Sequence, residues 1–224
     1  MMNRLLRLPL ILSALGLAGT AAAQTNLLLN GSFESGTLGN GYFDGTGVGA
    51  TALITDWEYL VTGANQHFVV YQGGPAQDGV RNLRLNEDGG GTPTNALFQN
   101  FTATLGQTYT ATVWAEATNG ATPMGLRLAV QSADGLTTYG FANATISGAT
   151  YVPVTFDFVA PETALRFLIL DNTGYDGPGT DLIVDSASLT VSAVPEPSTY
   201  AAFAGLGALG FVWFRRRGLH ARQA

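Results

Sequence analysis

Between residues 24 and 193 the chain is built from short runs in which apolar and polar positions alternate, the two-residue period of half-buried strands. The clearest run is Thr108 to Ala117, with Tyr109, Ala111, Val113 and Ala115 on one face and Thr110, Thr112, Trp114 and Glu116 on the other. Gly125 to Gln131 sets Leu126, Leu128 and Val130 against Arg127 and Ala129, and Val152 to Val159 places Val152, Val154, Phe156 and Phe158 together. Ala164 to Leu170 is apolar on both faces except at Arg166, as suits a strand central in its sheet. Leu182 to Val191 closes the series, and weaker candidates are Thr51 to Tyr59, Phe68 to Gln72, Asn82 to Leu85 and Ala96 to Thr104. Gly, Asn and Asp clusters separate the runs, and no amphipathic helical pattern exceeds two turns. The expectation is an all-β domain of about eight to ten strands, folded as a two-sheet antiparallel sandwich.

The two ends follow another pattern. Residues 1–23 combine Arg4 and Arg7, an apolar stretch from Leu8 to Ala18 and the small-residue site Ala21-Ala22-Ala23, which together make a signal helix cleaved before Gln24. At the other end Val194-Pro195-Glu196-Pro197-Ser198 precedes a charge-free run, residues 199–214, and then Arg215-Arg216-Arg217. A charge at the bilayer centre costs about 3 kcal/mol on insertion scales, so an apolar run stopped by arginines reads as a transmembrane helix. The basic tail, 215–224, then lies in the cytoplasm and everything before Val194 outside. This tripartite tail resembles the PEP-CTERM sorting signal of Gram-negative bacteria. The resemblance implies processing by exosortase near the motif, transient membrane anchoring, then release or re-attachment at the cell surface or in the matrix of exopolysaccharide-producing cells.

Charge sharpens this picture. Of ten basic residues, all arginine, six lie in the two end segments. The exported part, taken through Glu196, sets four arginines against sixteen acidic residues, a net charge of −12. Nucleic acid is excluded as a partner, because phosphate binding needs basic patches. Cysteine is absent, so thiol catalysis, zinc–thiolate and iron–sulfur sites are excluded and the domain must be held by its core.

Asn30-Gly31-Ser32-Phe33-Glu34, Trp57, the Gly106-Gln107-Thr108-Tyr109 strand start and the closing Leu182-Ile183-Val184-Asp185-Ser186-Ala187-Ser188-Leu189 occur in that order. Together they resemble the galactose-binding-like jelly-roll superfamily, which includes many carbohydrate-binding modules. The usual closing pattern has an aspartate pair; here Asp185 stands alone at that point, with Asp181 just before the strand. The resemblance implies that the first and last strands lie side by side with a structural calcium between them, held by Glu34 and Asp185 and by carbonyls near Ser32. The alternative makes Phe33 core, Glu34 a solvated strand end and Asp185 an acceptor of backbone hydrogen bonds. The acidic loop from Asp171 to Asp181 is a rival cation site, although it lacks the EF-hand spacing and its residues also suit turns.

Sugar binding needs a flat aromatic face beside polar groups. Trp114 shares its strand face with threonines and Glu116, so it either stacks on a sugar, with Arg127 or Arg84 bonding hydroxyls, or covers the second face of an inner strand. Catalysis finds little: His67 is the one histidine of the exported body, and no HExxH, GxSxG or P-loop occurs. Asp56 and Glu58, two apart on one predicted strand, are the nearest approach to a glycosidase carboxylate pair. The expectation is a non-enzymatic surface or matrix protein that binds polysaccharide; the alternative is a structural matrix protein acting through protein–protein contacts.

Overall fold

The computed structural model describes residues 24–37, 47–50, 54–61, 66–72, 76–87, 96–118, 123–172, 182–192 and 203–211, with backbone alone for 47–50, 61, 66–72, 86 and 87. The expected signal helix (1–23), the sorting motif Val194 to Ser198, Arg215 to Arg217 and most of the acidic loop lie outside these residues.

The alternating runs fold into antiparallel strands of two sheets. Those of the first are β1 (Gly47–Ala50), β2 (Glu58–Val61), β5 (Ala96–Thr102), β7 (Met124–Ser132), β8 (Thr138–Ile146) and β10 (Ala164–Asp171), in the order β1-β2-β5-β10-β7-β8. The second sheet comprises β3 (Gln66–Gln72), β4 (Arg81–Glu87), β6 (Thr108–Ala117), β9 (Val152–Val159) and β11 (Leu182–Val191), ordered β3-β4-β11-β6-β9. The all-β sandwich expected from the pattern is what forms. A short helix occupies residues 203–211, and no helix among the described residues is long and apolar enough to cross a membrane.

The core is the sum of the inward faces. Tyr109, Ala111 and Val113 of β6, Leu83 and Leu85 of β4 and Leu182, Val184 and Leu189 of β11 meet Leu126, Leu128 and Val130 of β7 and Leu165, Phe167 and Ile169 of β10. Strand β10, apolar on both faces, is paired on both sides, by β5 and β7.

Two expectations shift. Strand β8 is absent from the hydrophobic pattern, because Gly140, Ala142 and Ala144 give one of its faces little contrast with the other. The strand expected from Thr51 to Tyr59 is instead a turn followed by β2: Asp56 adopts φ 71° and the Trp57 N–H bonds back to the Ile54 carbonyl at 3.3 Å. Asp56 and Glu58 are therefore not neighbours on one strand face.

The opening motif forms a corner against the last strand. Between Asp185 and Ser188 strand β11 bulges, two residues opposing Val113 of β6, with Ser186 at φ 49°. The displaced Ala187 donates its N–H to the Gly31 carbonyl (2.8 Å) and accepts from Asn26 Nδ2 (3.0 Å). Leu27 N–H meanwhile bonds the Leu189 carbonyl, so the first and last segments lie side by side. Each residue of the motif has a physical task. Asn30, at φ 49°, donates from Nδ2 to the Ser35 and Thr55 carbonyls. Gly31 leaves no room for a side chain, because a Cβ there would sit 2.0 Å from the Ala187 oxygen. Phe33 is fully buried at φ 57° and packs on Trp57 with ring centroids 5.3 Å apart.

Candidate functional site

The outward face of the five-stranded sheet carries the polar groups that alternation predicts. Strand register places Ile183 of β11 opposite Arg84 of β4 on one side and Glu116 of β6 on the other, while Asp185 stands opposite Trp114. Arg84 and Glu116 thus flank one apolar residue in a single row, and Trp114 begins the next. Glu116 is only 3 % exposed; burial raises its pKa and the Arg84 guanidinium opposes the rise. Tyr151, entering before β9, is joined to Asn82 by a side-chain hydrogen bond. Burial, then the charges of Glu116 and Asp185, push the Tyr151 hydroxyl well above the usual range, so it remains a protonated donor–acceptor. Asn82, Arg84, Glu116 and Tyr151 form one cluster of mixed hydrogen-bonding character.

Beside it, half-buried Trp114 walls a pocket of about 420 Å³ together with Asn26, Asn30, Ser32, Asp78, Ser186 and Ser188. Several of these polar groups already serve the fold. Asn26 Oδ1 accepts from Leu28 N and Leu189 N, and the Ser186 hydroxyl donates to Gln77 Oε1 at 2.6 Å.

The expected ligand residues do not all converge. Trp114 and Arg84 share one outer face. Arg127 lies on β7 in the other sheet, where its guanidinium stacks over the Phe141 ring at 4.5 Å. The two outer faces point away from each other across the core, so Arg127 cannot join Trp114 on one ligand. Alternation reveals which face of a strand a residue occupies, but not which sheet the strand enters.

Glu34 and Asp185 are brought together around one segment, with the same type of partner. Glu34 Oε1 accepts from Val80 N and Arg81 N, both at 2.7 Å. Asp185 Oδ2 accepts from Gln77 N (2.7 Å) and Asp78 N (3.0 Å), and Oδ1 from Ser186 N (2.6 Å). Fully buried, Asp185 has its pKa raised to about 6 by desolvation, against the pull of those three N–H groups. Calcium takes six to eight oxygen ligands. Here three of the four carboxylate oxygens accept backbone N–H bonds, and among the described residues no three acidic or histidine side chains gather. The two carboxylates pin residues 77–81 across the start of β4.

Sequence reading missed Glu116, Asn82 and Tyr151. Glu116 was legible in the alternation that singled out Trp114, and Asn82 in the two-residue spacing to Arg84. Tyr151 sits in a connection and has no such signal.

Comparison with known proteins adds two findings. Residues 193–217 match the model of the PEP-CTERM protein-sorting motif, spanning the Pro-Glu-Pro sequence, the apolar run and the arginine block. A search of characterised proteins by sequence finds no match. Among solved structures, a proposed sugar-binding protein from Bacteroides thetaiotaomicron aligns over 75% of this chain and 100% of its own, at 14% identity and a TM-score of 0.53. The xylan-binding CBM22-1 domain of Paenibacillus barcinonensis Xyn10C aligns at 17% identity and a TM-score of 0.49, covering 77% and 99% of the two chains. TmCBM61, solved with β-1,4-galactotriose, aligns at 14% identity and a TM-score of 0.49 over 75% and 99%. At 14% identity the likeness to the Bacteroides thetaiotaomicron protein shows a shared fold and nothing finer. The chain is a jelly-roll β-sandwich that shares its fold with the Bacteroides thetaiotaomicron protein, and it carries a PEP-CTERM sorting motif, which indicates export and exosortase-mediated surface sorting.

Proposed function

We propose that the exported sandwich binds polysaccharide on the outer face of the five-stranded sheet. Trp114 is the stacking platform and Arg84, with Tyr151, the hydrogen-bonding edge. The observation that carries this reading is the position of Trp114: a half-buried indole on a polar strand face, walling a pocket instead of filling the core. Sugars present a flat C–H face and a rim of hydroxyls, which match an aromatic plane beside mixed donors and acceptors. The body's net charge of −12 favours a neutral glycan over an acidic one. In this reading the sandwich is a non-catalytic module. Exosortase cuts near Val194 to Ser198 after the run 199–214 has held the chain in the membrane, and the product reaches the surface or matrix.

A second reading, a structural matrix protein without a glycan site, is favoured by one observation. Asn26, Asn30 and Ser186 line the pocket yet direct hydrogen bonds at the protein itself.

Co-sedimentation of the purified protein with the host's exopolysaccharide separates the two. Losing one stacking contact is worth about 1.4 kcal/mol, so Trp114→Ala is expected to weaken binding by roughly tenfold. Binding unchanged in Trp114→Ala would move the site elsewhere, and no sedimentation of either protein would favour the structural role.

A further inference from the structure

The pocket beside Trp114 has a definite electrostatic character. In the register of β11 against β6, Trp114 stands opposite Asp185. Asp185 in turn accepts from Gln77 N (2.7 Å) and Asp78 N (3.0 Å), which brings the segment before β4 over the outer sheet face. That segment sets the exposed Asp78 in the same pocket wall as the indole. Burial first, and the Asp78 charge in smaller part, raise the pKa of Asp185, so the two carboxyl groups lie within electrostatic reach of each other.

Asn26, Asn30 and Ser186 direct their side chains at the protein. The Asp78 carboxylate and the Ser32 and Ser188 hydroxyls, by contrast, have no hydrogen-bond or ion-pair partner among the described residues. No arginine lines the pocket among those residues either. Arg84 is set against Glu116 across Ile183, one row away from Trp114. An indole beside an unneutralised carboxylate is the pairing that attracts a cation. The ring quadrupole draws positive charge to its face, and the carboxylate accepts charge-assisted hydrogen bonds. An acidic sugar would meet like charge there. A neutral sugar can bond Asp78 through its hydroxyls, but it covers the charge without opposing it. An ammonium group offers three donors and no acceptor, which matches one carboxylate and two hydroxyls.

We infer that the glycan bound at Trp114 carries free amino groups, with the ammonium of a hexosamine seated between the Trp114 ring and the Asp78 carboxylate. The inference rests on the polysaccharide reading of this face and names the class of sugar.

The test is co-sedimentation of the full chain with the host's exopolysaccharide, untreated and after selective N-acetylation with acetic anhydride. Acetylation removes the amine charge and leaves the hydroxyls. At about 0.3 M salt, attraction from the body's distant carboxylates is screened beyond roughly 6 Å. Wild type should then lose about tenfold in affinity when the polymer is acetylated. Asp78→Asn keeps the side-chain shape and the backbone N–H bond to Asp185. It should bind the untreated polymer about tenfold more weakly than wild type and lose nothing further on acetylation, because amine and carboxylate act as one pair. Asp157→Asn removes one exposed charge from β9 of the same sheet, outside the pocket, and should respond to acetylation as wild type does. Equal binding of the two polymers by wild type overturns the inference, as does an Asp78→Asn that still responds to acetylation, or an Asp157→Asn that does not. In those cases a loss of binding in Trp114→Ala still upholds the glycan reading, so the two fail separately. No sedimentation of wild type with the untreated polymer overturns both. Displacement of the polymer by trilysine but not by glucosamine assigns the pocket to a cationic peptide and overturns the inference as well.

Discussion

Gln99 is the residue whose replacement tests the corner most directly. It sits on the inward side of β5, 5% exposed, where alternation would place another core residue. Its amide accepts from Leu29 N (2.7 Å) and donates to the carbonyls of Leu29 and Asp56 (both 2.9 Å). One side chain thereby fastens two segments outside the strand ladders, the opening motif and the turn before β2. Each such bond contributes about 0.5–1.5 kcal/mol net, and a buried backbone group left without a partner costs about 1–3 kcal/mol. Leu29 and Asp56 are themselves exposed, so water re-satisfies part of what is lost. Gln99→Ala should therefore cost about 3 kcal/mol, a fall in melting temperature of roughly 9 °C for a body of this size. Urea unfolding followed by tryptophan emission reads the event locally, because Trp57 packs on Phe33 in this corner and its Nε1–H bonds the Asn30 carbonyl at 3.1 Å. Gln99→Met keeps the volume and removes the hydrogen bonds, so it should cost nearly as much. Gln99→Glu should be worse at neutral pH, where a carboxylate faces two carbonyls, and should improve on acidification, when one oxygen becomes a donor. If Gln99→Met lies within about 0.5 kcal/mol of wild type, the hydrogen bonds do not hold the corner and the reasoning fails.

Other outcomes follow from neighbouring residues. Gly31→Ala forces a Cβ onto the Ala187 oxygen and should cost about 2–3 kcal/mol in chemical denaturation; a neutral result would mean that the bulge in β11 yields easily. Asp185 titrates near 6 when folded and near 3.8 when unfolded, so the native state binds the proton more tightly. Its contribution is fullest below pH 4 and is lost as pH rises through 6, and raised Glu116 acts in the same direction. The melting temperature of Asp185→Asn, measured between pH 4 and 7, should lack that decline; an unchanged slope would assign it to other groups. EDTA should leave the melting temperature unaltered, while Glu34→Ala should lower it with or without calcium. A chelator-induced fall that disappears in Glu34→Ala would instead place a cation between Glu34 and Asp185.

The sequence by itself determined the class of fold and the presence of the sorting motif. Strands β6, β7, β9, β10 and β11 were legible because their two faces differ in polarity or, for β10, are both apolar, and that contrast is a local property. The sorting tail was legible because rigid spacer, apolar run and arginine block act in linear order. Strand β8 was not, since alanine, glycine and asparagine at its middle give no contrast and pairing with β7 alone makes it a strand. The site required the tertiary structure for the same reason. Alternation put Trp114, Glu116, Arg84 and Arg127 on outward faces, but only strand order gathers the first three on one sheet and sends Arg127 to the other. The roles of Glu34 and Asp185 were likewise decided by a segment about a hundred residues from Asp185, whose N–H groups reach both carboxylates once β4 lies against β11. Hydrophobic periodicity fixes how each strand divides itself between core and surface; the pairing of distant strands decides which surface residues meet.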